Sequence, residues 1–176
     1  WKDSLVSSYL DNSLLEHINV PTNGCYFDIR EKEILNNVDN VLDNIWSIGG
    51  ERGWYYADWL WHLRGFLDKL VGGVGLRRGR TSKTEIHTGD TLDFWRVLAA
   101  DKENKRLLLY AEMKLPGEAW LEFKIVEKNG KSFLNQTATF RPKGILGRMY
   151  WYSVLPFHYF VFNGMAENVV NFKRNI

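Results

Sequence analysis

The sequence predicts an α+β domain in which a curved antiparallel sheet wraps a long C-terminal helix. Three observations carry this. Residues 91–140 fall into four strand-like runs separated by turn signals. Residues 145–174 form a long apolar stretch of helical character. Residues 25–70 supply one alternating segment followed by two with helical spacing. At 176 residues the chain can bury one full hydrophobic core, so one domain is expected.

Residues 1–24 begin with an amphipathic stretch around Leu5, Val6, Tyr9, Leu10, Leu14 and Leu15, then the loop Val20-Pro21-Thr22-Asn23-Gly24, and read as a linker helix. Residues 25–35 (CYFDIREKEIL) alternate apolar and charged side chains and read as a strand. Apolar residues at 38, 41, 42, 45 and 48 lie on one helical face, and Gly49-Gly50 ends that helix. Residues 54–70 (WYYADWLWHLRGFLDKL) lack proline and are so aromatic that more than one helical face should be covered. Asp58 and Arg64 on this helix read as surface or capping charges. The glycine-rich GGVGLRRG that follows has the spacing G-x-G-x-x-x-G and no buried strand before it. It reads as a helix-terminating loop rather than a phosphate cradle, which needs a strand, that turn and a helix in one unit.

The runs TLDFWRVLA, KRLLLYAEMK, EAWLEFKIVE and SFLNQTATF form an antiparallel meander. If Pro116-Gly117 and Asn129-Gly130 are each the centre of a two-residue turn, Met113 faces Trp120, Leu121 faces Glu112, and Phe123 faces Gln136. One face then gathers Leu108, Tyr110, Leu121, Phe123, Ile125, Leu134, Ala138 and Phe140, interrupted by Glu112 and Gln136, and is the expected core. For residues 91–99 two pairings stay open, with either Trp95 or the pair Phe94 and Arg96 facing inward. Three readings of Glu112 and Gln136 also stand side by side. They make structural bonds, to an arginine such as Arg96 or to the backbone, or they hold the polar end of a ligand in an apolar cavity, or they are exposed on an edge strand.

After Arg141-Pro142-Lys143-Gly144 the final helix begins. Residues 149–166 carry no formal charge over 18 positions, the lower limit for crossing a bilayer, but Pro156, His158, Asn163 and Gly164 lie inside. A helix clasped by the sheet and kinked or restarted at Pro156 explains these residues better. An interfacial helix carrying Trp151, Tyr152 and Phe157 is the other reading.

A net charge of +2 gives no footprint for nucleic acid, and Arg77, Arg78 and Arg80 read as a solvated turn. Cys25 is the sole cysteine, so no intrachain disulfide forms and the cytoplasm is the expected compartment. His17, His62, His87 and His158 lack metal-ligand spacing, and no metal is expected. The start at Trp1, without a methionine or a leader, reads as a piece of a longer chain.

The segments IGGERGWYYADWLWHLRGFLDKLVGGVGLRRGR from Ile48, GDTLDFWRV from Gly89, AEMKLPGEAWLEF from Ala111 and QTATFRPKGILGRMYWYSVLPFH from Gln136 resemble the DUF2867 family, over roughly residues 26–172. Members of that family are usually the C-terminal half of bacterial proteins behind an NmrA-like NAD(P)-binding domain of short-chain-dehydrogenase type. The resemblance implies a START-like helix-grip fold over residues 25–176, with residues 1–24 as the linker or tail of the upstream domain. It implies no cofactor in this fragment, NAD(P) only in a full-length oxidoreductase parent, and no catalytic residue.

The aromatic load, with eight tryptophans, favours a binding domain for an apolar or aromatic small molecule. Its candidate ligand contacts are Trp54, Tyr55, Trp59, Tyr110, Glu112, Phe123, Gln136, Trp151 and Phe157. The alternative is an interaction module docking on the reductase domain, on a second copy as a homodimer, or on a membrane surface. A free-standing enzyme using Glu112, Asp93 or His158 as acid or base ranks last, because no Ser-His-Asp or Cys-His pattern is legible.

Overall fold

The computed structural model describes residues 18–49, 53–70, 72, 80 and 85–172. The linker helix expected before residue 18, most of the glycine-rich loop, and the side chains of His62 and Arg64 lie outside the described residues. Strand β1 (Tyr26–Glu33) is followed by helices α1 (Val38–Ile45) and α2 (Asp58–Leu70). Strands β2 (Thr91–Leu92), β3 (Trp95–Asp101), β4 (Arg106–Ala111), β5 (Gly117–Lys128) and β6 (Lys131–Pro142) precede helix α3 (Gly144–Asn171). All six strands form one antiparallel sheet in the order β1-β6-β5-β4-β3-β2, with α3 packed on β1 and β6.

Local chemistry sets the element ends. Asn37 caps α1, its side-chain oxygen accepting from the Asp39 N–H at 2.8 Å. Helix α2 starts four residues later than expected, because Tyr55 and Ala57 take φ values of 63° and 53°, outside the helical region. The Asp58 carboxylate secures that turn by accepting the Trp54 backbone N–H at 2.8 Å. The expected single strand at 91–99 is two strands, folded back at Asp93-Phe94 so that Leu92 pairs with Trp95.

Asn129 and Gly130, both at positive φ, form the expected two-residue turn, and Phe123 lies opposite Gln136. The other predicted turn is overturned. Gly117 is the first residue of β5, residues 112–116 form a longer connection, and Trp120 lies opposite Tyr110 rather than Met113. A three-residue shift is odd, so every β4 side chain changes face. Leu107, Leu109 and Ala111 join the main core, while Leu108 and Tyr110 sit on the outer face with Ala99 and Trp120, against Ile18 and Val20. A bulge between Val97 and Ala99 flips β3 likewise, leaving Trp95 and Val97 inside and Arg96 outside.

Helix α3 runs through Pro156 without interruption. Proline supplies no N–H to the Tyr152 carbonyl, and both residues lie on the solvent side, where water can serve it. The helix ends on Asn44, whose side-chain amide donates to the Val169 and Phe172 carbonyls at 2.9 and 3.0 Å. Its start lies against the 112–116 connection. The Lys143 N–H donates to the Pro116 carbonyl at 2.9 Å, and a Cβ on Gly147 would stand 2.3 Å from that oxygen. Among the described side chains of α2, Trp61 packs on the core while Trp59 is 65% exposed.

Candidate functional site: an aromatic cleft under the C-terminal helix

Between the inner face of the sheet, α2 and the middle of α3 lies a cleft of about 300 Å³. The sheet contributes Trp95, Ala119, Ala138 and Phe140; the 112–116 connection contributes Met113 and Leu115; α2 contributes Trp61. From α3 come Trp151, Val154, His158 and Val161, spaced three or four residues apart as one helical stripe requires, with Phe157 beside them. Trp151 is fixed between two rings, stacked on Tyr26 at 5.5 Å and on Phe140 at 5.7 Å. Among the described lining residues none is charged.

His158 is the polar feature of the α3 wall. Its ring meets Trp151 edge-on at 5.1 Å and Phe162 at 4.7 Å, and its Nδ1 is buried without a hydrogen-bond partner. Burial, and secondarily the Arg30 charge, lowers its pKa from 6.5 to about 4, so the imidazole is neutral at neutral pH. Behind it, on the same face of the sheet, stand Asp28, Arg30 and Gln136, with Arg30 opposite Gln136 and Asp28 opposite Ala138. Arg30 pairs with Asp28 at 2.7 Å and lies over the Tyr159 ring at 4.7 Å. Burial raises the Asp28 pKa against the pull of Arg30.

Of the residues singled out from sequence, Trp151 and Phe157 line the cleft. Trp54 is buried one layer behind, 5.1 Å from Trp61 and 6.0 Å from Trp95, with its indole N–H donating to Asp93 at 2.9 Å. Tyr55 turns to α1, its hydroxyl donating to the Asn44 carbonyl at 3.0 Å. Trp59 points to solvent. Phe123 and Gln136 are buried in the inner face, away from the cleft lining. Tyr110 corrects the sequence reading, since the shifted register puts it beside Trp120 on the outer face. Glu112 pairs with Arg96 at 2.9 Å, the structural bond that the sequence offered as one of its readings.

The sequence reading did not select Trp61 or Trp95, and it considered His158 only as an acid or base. The stripe from Trp151 through Val154, His158 and Val161 was the available signal for His158. Among the described residues no three metal-ligating side chains stand together, and no helix is long and apolar enough to cross a membrane.

The fold is a START/Bet v1-like helix grip. A norcoclaurine synthase from Thalictrum flavum superposes with a TM-score of 0.50 at 12% identity, covering 83% of this chain and 84% of that one. A Thermobifida fusca protein gives 0.45 at 14% identity, over 85% of this chain and 97% of the other. Ginseng major latex-like protein 151 from Panax ginseng gives 0.45 at 9%, over 84% and 97%. At these identities the likeness concerns the fold alone. No curated protein sequence matches the chain. The family model for proteins of unknown function DUF2867 matches residues 23–165, and the chain belongs to that family.

Proposed function

We propose that this domain binds an apolar or aromatic small molecule in the cleft between the sheet and α3. The observation that carries the reading is a cavity of about 300 Å³ whose described lining is mostly aromatic and aliphatic and includes no charged side chain. Its volume stands at the lower end of the range typical of small-molecule sites. Trp151, held by stacking on Tyr26 and Phe140, gives the cleft a preordered wall that loses little entropy on binding. Residues 25–176 are the binding domain in this reading. Residues 1–24 lead from an upstream NAD(P)-binding domain in a cytoplasmic oxidoreductase, to which the cleft presents substrate.

The test is titration with N-phenyl-1-naphthylamine, whose fluorescence rises in apolar surroundings. One site per chain is expected, and Val154→Trp, which fills the cleft from α3, should abolish it. Equal binding by the variant would remove the cleft from consideration.

A second reading rests on a different observation. Trp59, Phe66, Ile145, Leu146, Met149 and Tyr152 are all more than half exposed on the outer sides of α2 and α3. Such a surface suits docking on the upstream domain, a second copy or a membrane. Concentration-dependent sedimentation and vesicle flotation test it, and a monomer that ignores vesicles would exclude the last two partners.

A further inference from the structure

The start of α3, the end of α2 and the 112–116 connection meet at one corner of the molecule. The Lys143 N–H donates to the Pro116 carbonyl at 2.9 Å, which seats α3 on the connection. The end of α2 reaches the same connection, since a Cβ on Gly72 would stand 3.3 Å from the Lys114 Nζ. This corner carries Leu70, Ile145, Leu146 and Met149, each more than half exposed. Lys69, Lys114, Lys143 and Arg148 stand among them, all exposed as well. The described acidic side chains on either side of the connection are engaged, Glu112 with Arg96 and Glu118 with Arg141. Counting Asp68 of α2 still leaves the corner net positive.

Local preferences are broken here in two ways. Cations crowd the positive end of the α3 dipole, where the first turn holds no acid and Lys143, at the cap position, makes no side-chain capping bond. Large apolar side chains also stand in water beside them, where burial would have stabilised the fold. Neither serves folding. A surface that is anionic outside and apolar beneath satisfies both.

We infer that this corner docks on an anionic phospholipid bilayer, its apolar side chains entering the interface and its cations meeting lipid phosphates. The inference rests on the reading of the outer sides of α2 and α3 as a docking surface, and names the partner. A second copy fits less well, because a two-fold contact through this corner would set Lys143 and Arg148 against the same cations of the other chain.

Flotation with vesicles of equal parts phosphatidylglycerol and phosphatidylcholine, beside vesicles of phosphatidylcholine alone, tests it. The chain should bind the anionic vesicles at least about tenfold tighter, and added salt should remove the difference. Lys143→Gln and Arg148→Gln should each weaken binding about fivefold. Leu146→Ser should weaken it too, while Val154→Trp, which fills the cleft, should bind vesicles as the parent does. In the unsubstituted chain, amide resonances of residues 143–149 should move on adding anionic bicelles while those of residues 165–171 stay, a readout that needs no variant to fold. Equal binding to both vesicles, or binding indifferent to the charge substitutions, would overturn the inference. A dimer in sedimentation that ignores vesicles would overturn it while keeping the docking reading, with a second copy as the occupant. A monomer that ignores vesicles would overturn it and leave that surface only the upstream domain.

Discussion

Gln136 on β6 donates from Nε2 to the backbone carbonyl of Phe162 on α3 at 3.2 Å, while its Oε1 is buried without a partner. One amide therefore both ties the sheet to the gripped helix and carries an uncompensated acceptor. The two effects oppose each other, since a net hydrogen bond contributes about 1 kcal/mol and a buried unmatched acceptor costs about as much. Gln136→Leu, close in volume, should change unfolding free energy by less than about 1 kcal/mol in urea titration. A loss above about 3 kcal/mol would mean that Oε1 has a strong partner, such as bound water.

Glu112 and Arg96 form a partly exposed pair on the outer face at 2.9 Å. Glu112→Gln should cost no more than about 1 kcal/mol, and probe affinity in the cleft should be unchanged. Loss of affinity in this variant would contradict the observed register.

The imidazole of His158 is held neutral by burial, with a pKa of about 4 instead of 6.5. The unfolded chain takes up this proton near pH 6.5 and the folded chain only near 4, so stability is full above pH 6.5. It should fall by roughly 3 kcal/mol as the pH drops through that window, then level off. Asp28, whose raised pKa gives the folded state the earlier proton, acts in the opposite sense. Unfolding free energies at pH 7, 5.5 and 4 should show the decline in the parent chain and a shallower one in His158→Gln. The same slope in both would assign the decline to other groups.

Asn44 closes the far end of α3 with two side-chain hydrogen bonds to its last carbonyls. Asn44→Ala should destabilise the fold by about 2–3 kcal/mol and speed hydrogen exchange selectively in the last two turns of α3. Uniform exchange along the helix would show that the clasp is not local.

Much of this architecture was legible because its signals are local. The β5–β6 register followed from Asn129-Gly130, where both residues take the positive φ that such a turn demands. Pro116-Gly117 misled because the glycine serves packing instead: a Cβ there would stand 2.3 Å from the Arg141 carbonyl across the strand pair. Three consecutive leucines, 107 to 109, then offered no pattern to reveal the slip, since both faces of β4 are covered. The placement of Tyr110 on the core face, and the reading of Glu112 as a ligand contact, descended from that single error, while the alternative reading of Glu112 as a partner of Arg96 holds. Trp95 depended on a tight turn at Asp93-Phe94 and on a bulge after Val97, neither of which alternation alone encodes. Trp151 and Phe157 were accessible to sequence reasoning because a helix of known phase places them.

Native mass spectrometry of the purified protein, followed by solvent extraction and identification of what co-purifies, tests the central claim most directly. The account predicts one apolar or aromatic molecule per chain, absent from Val154→Trp. A ligand-free protein that also fails to bind N-phenyl-1-naphthylamine would contradict it, and the exposed faces of α2 and α3 would become the functional surface.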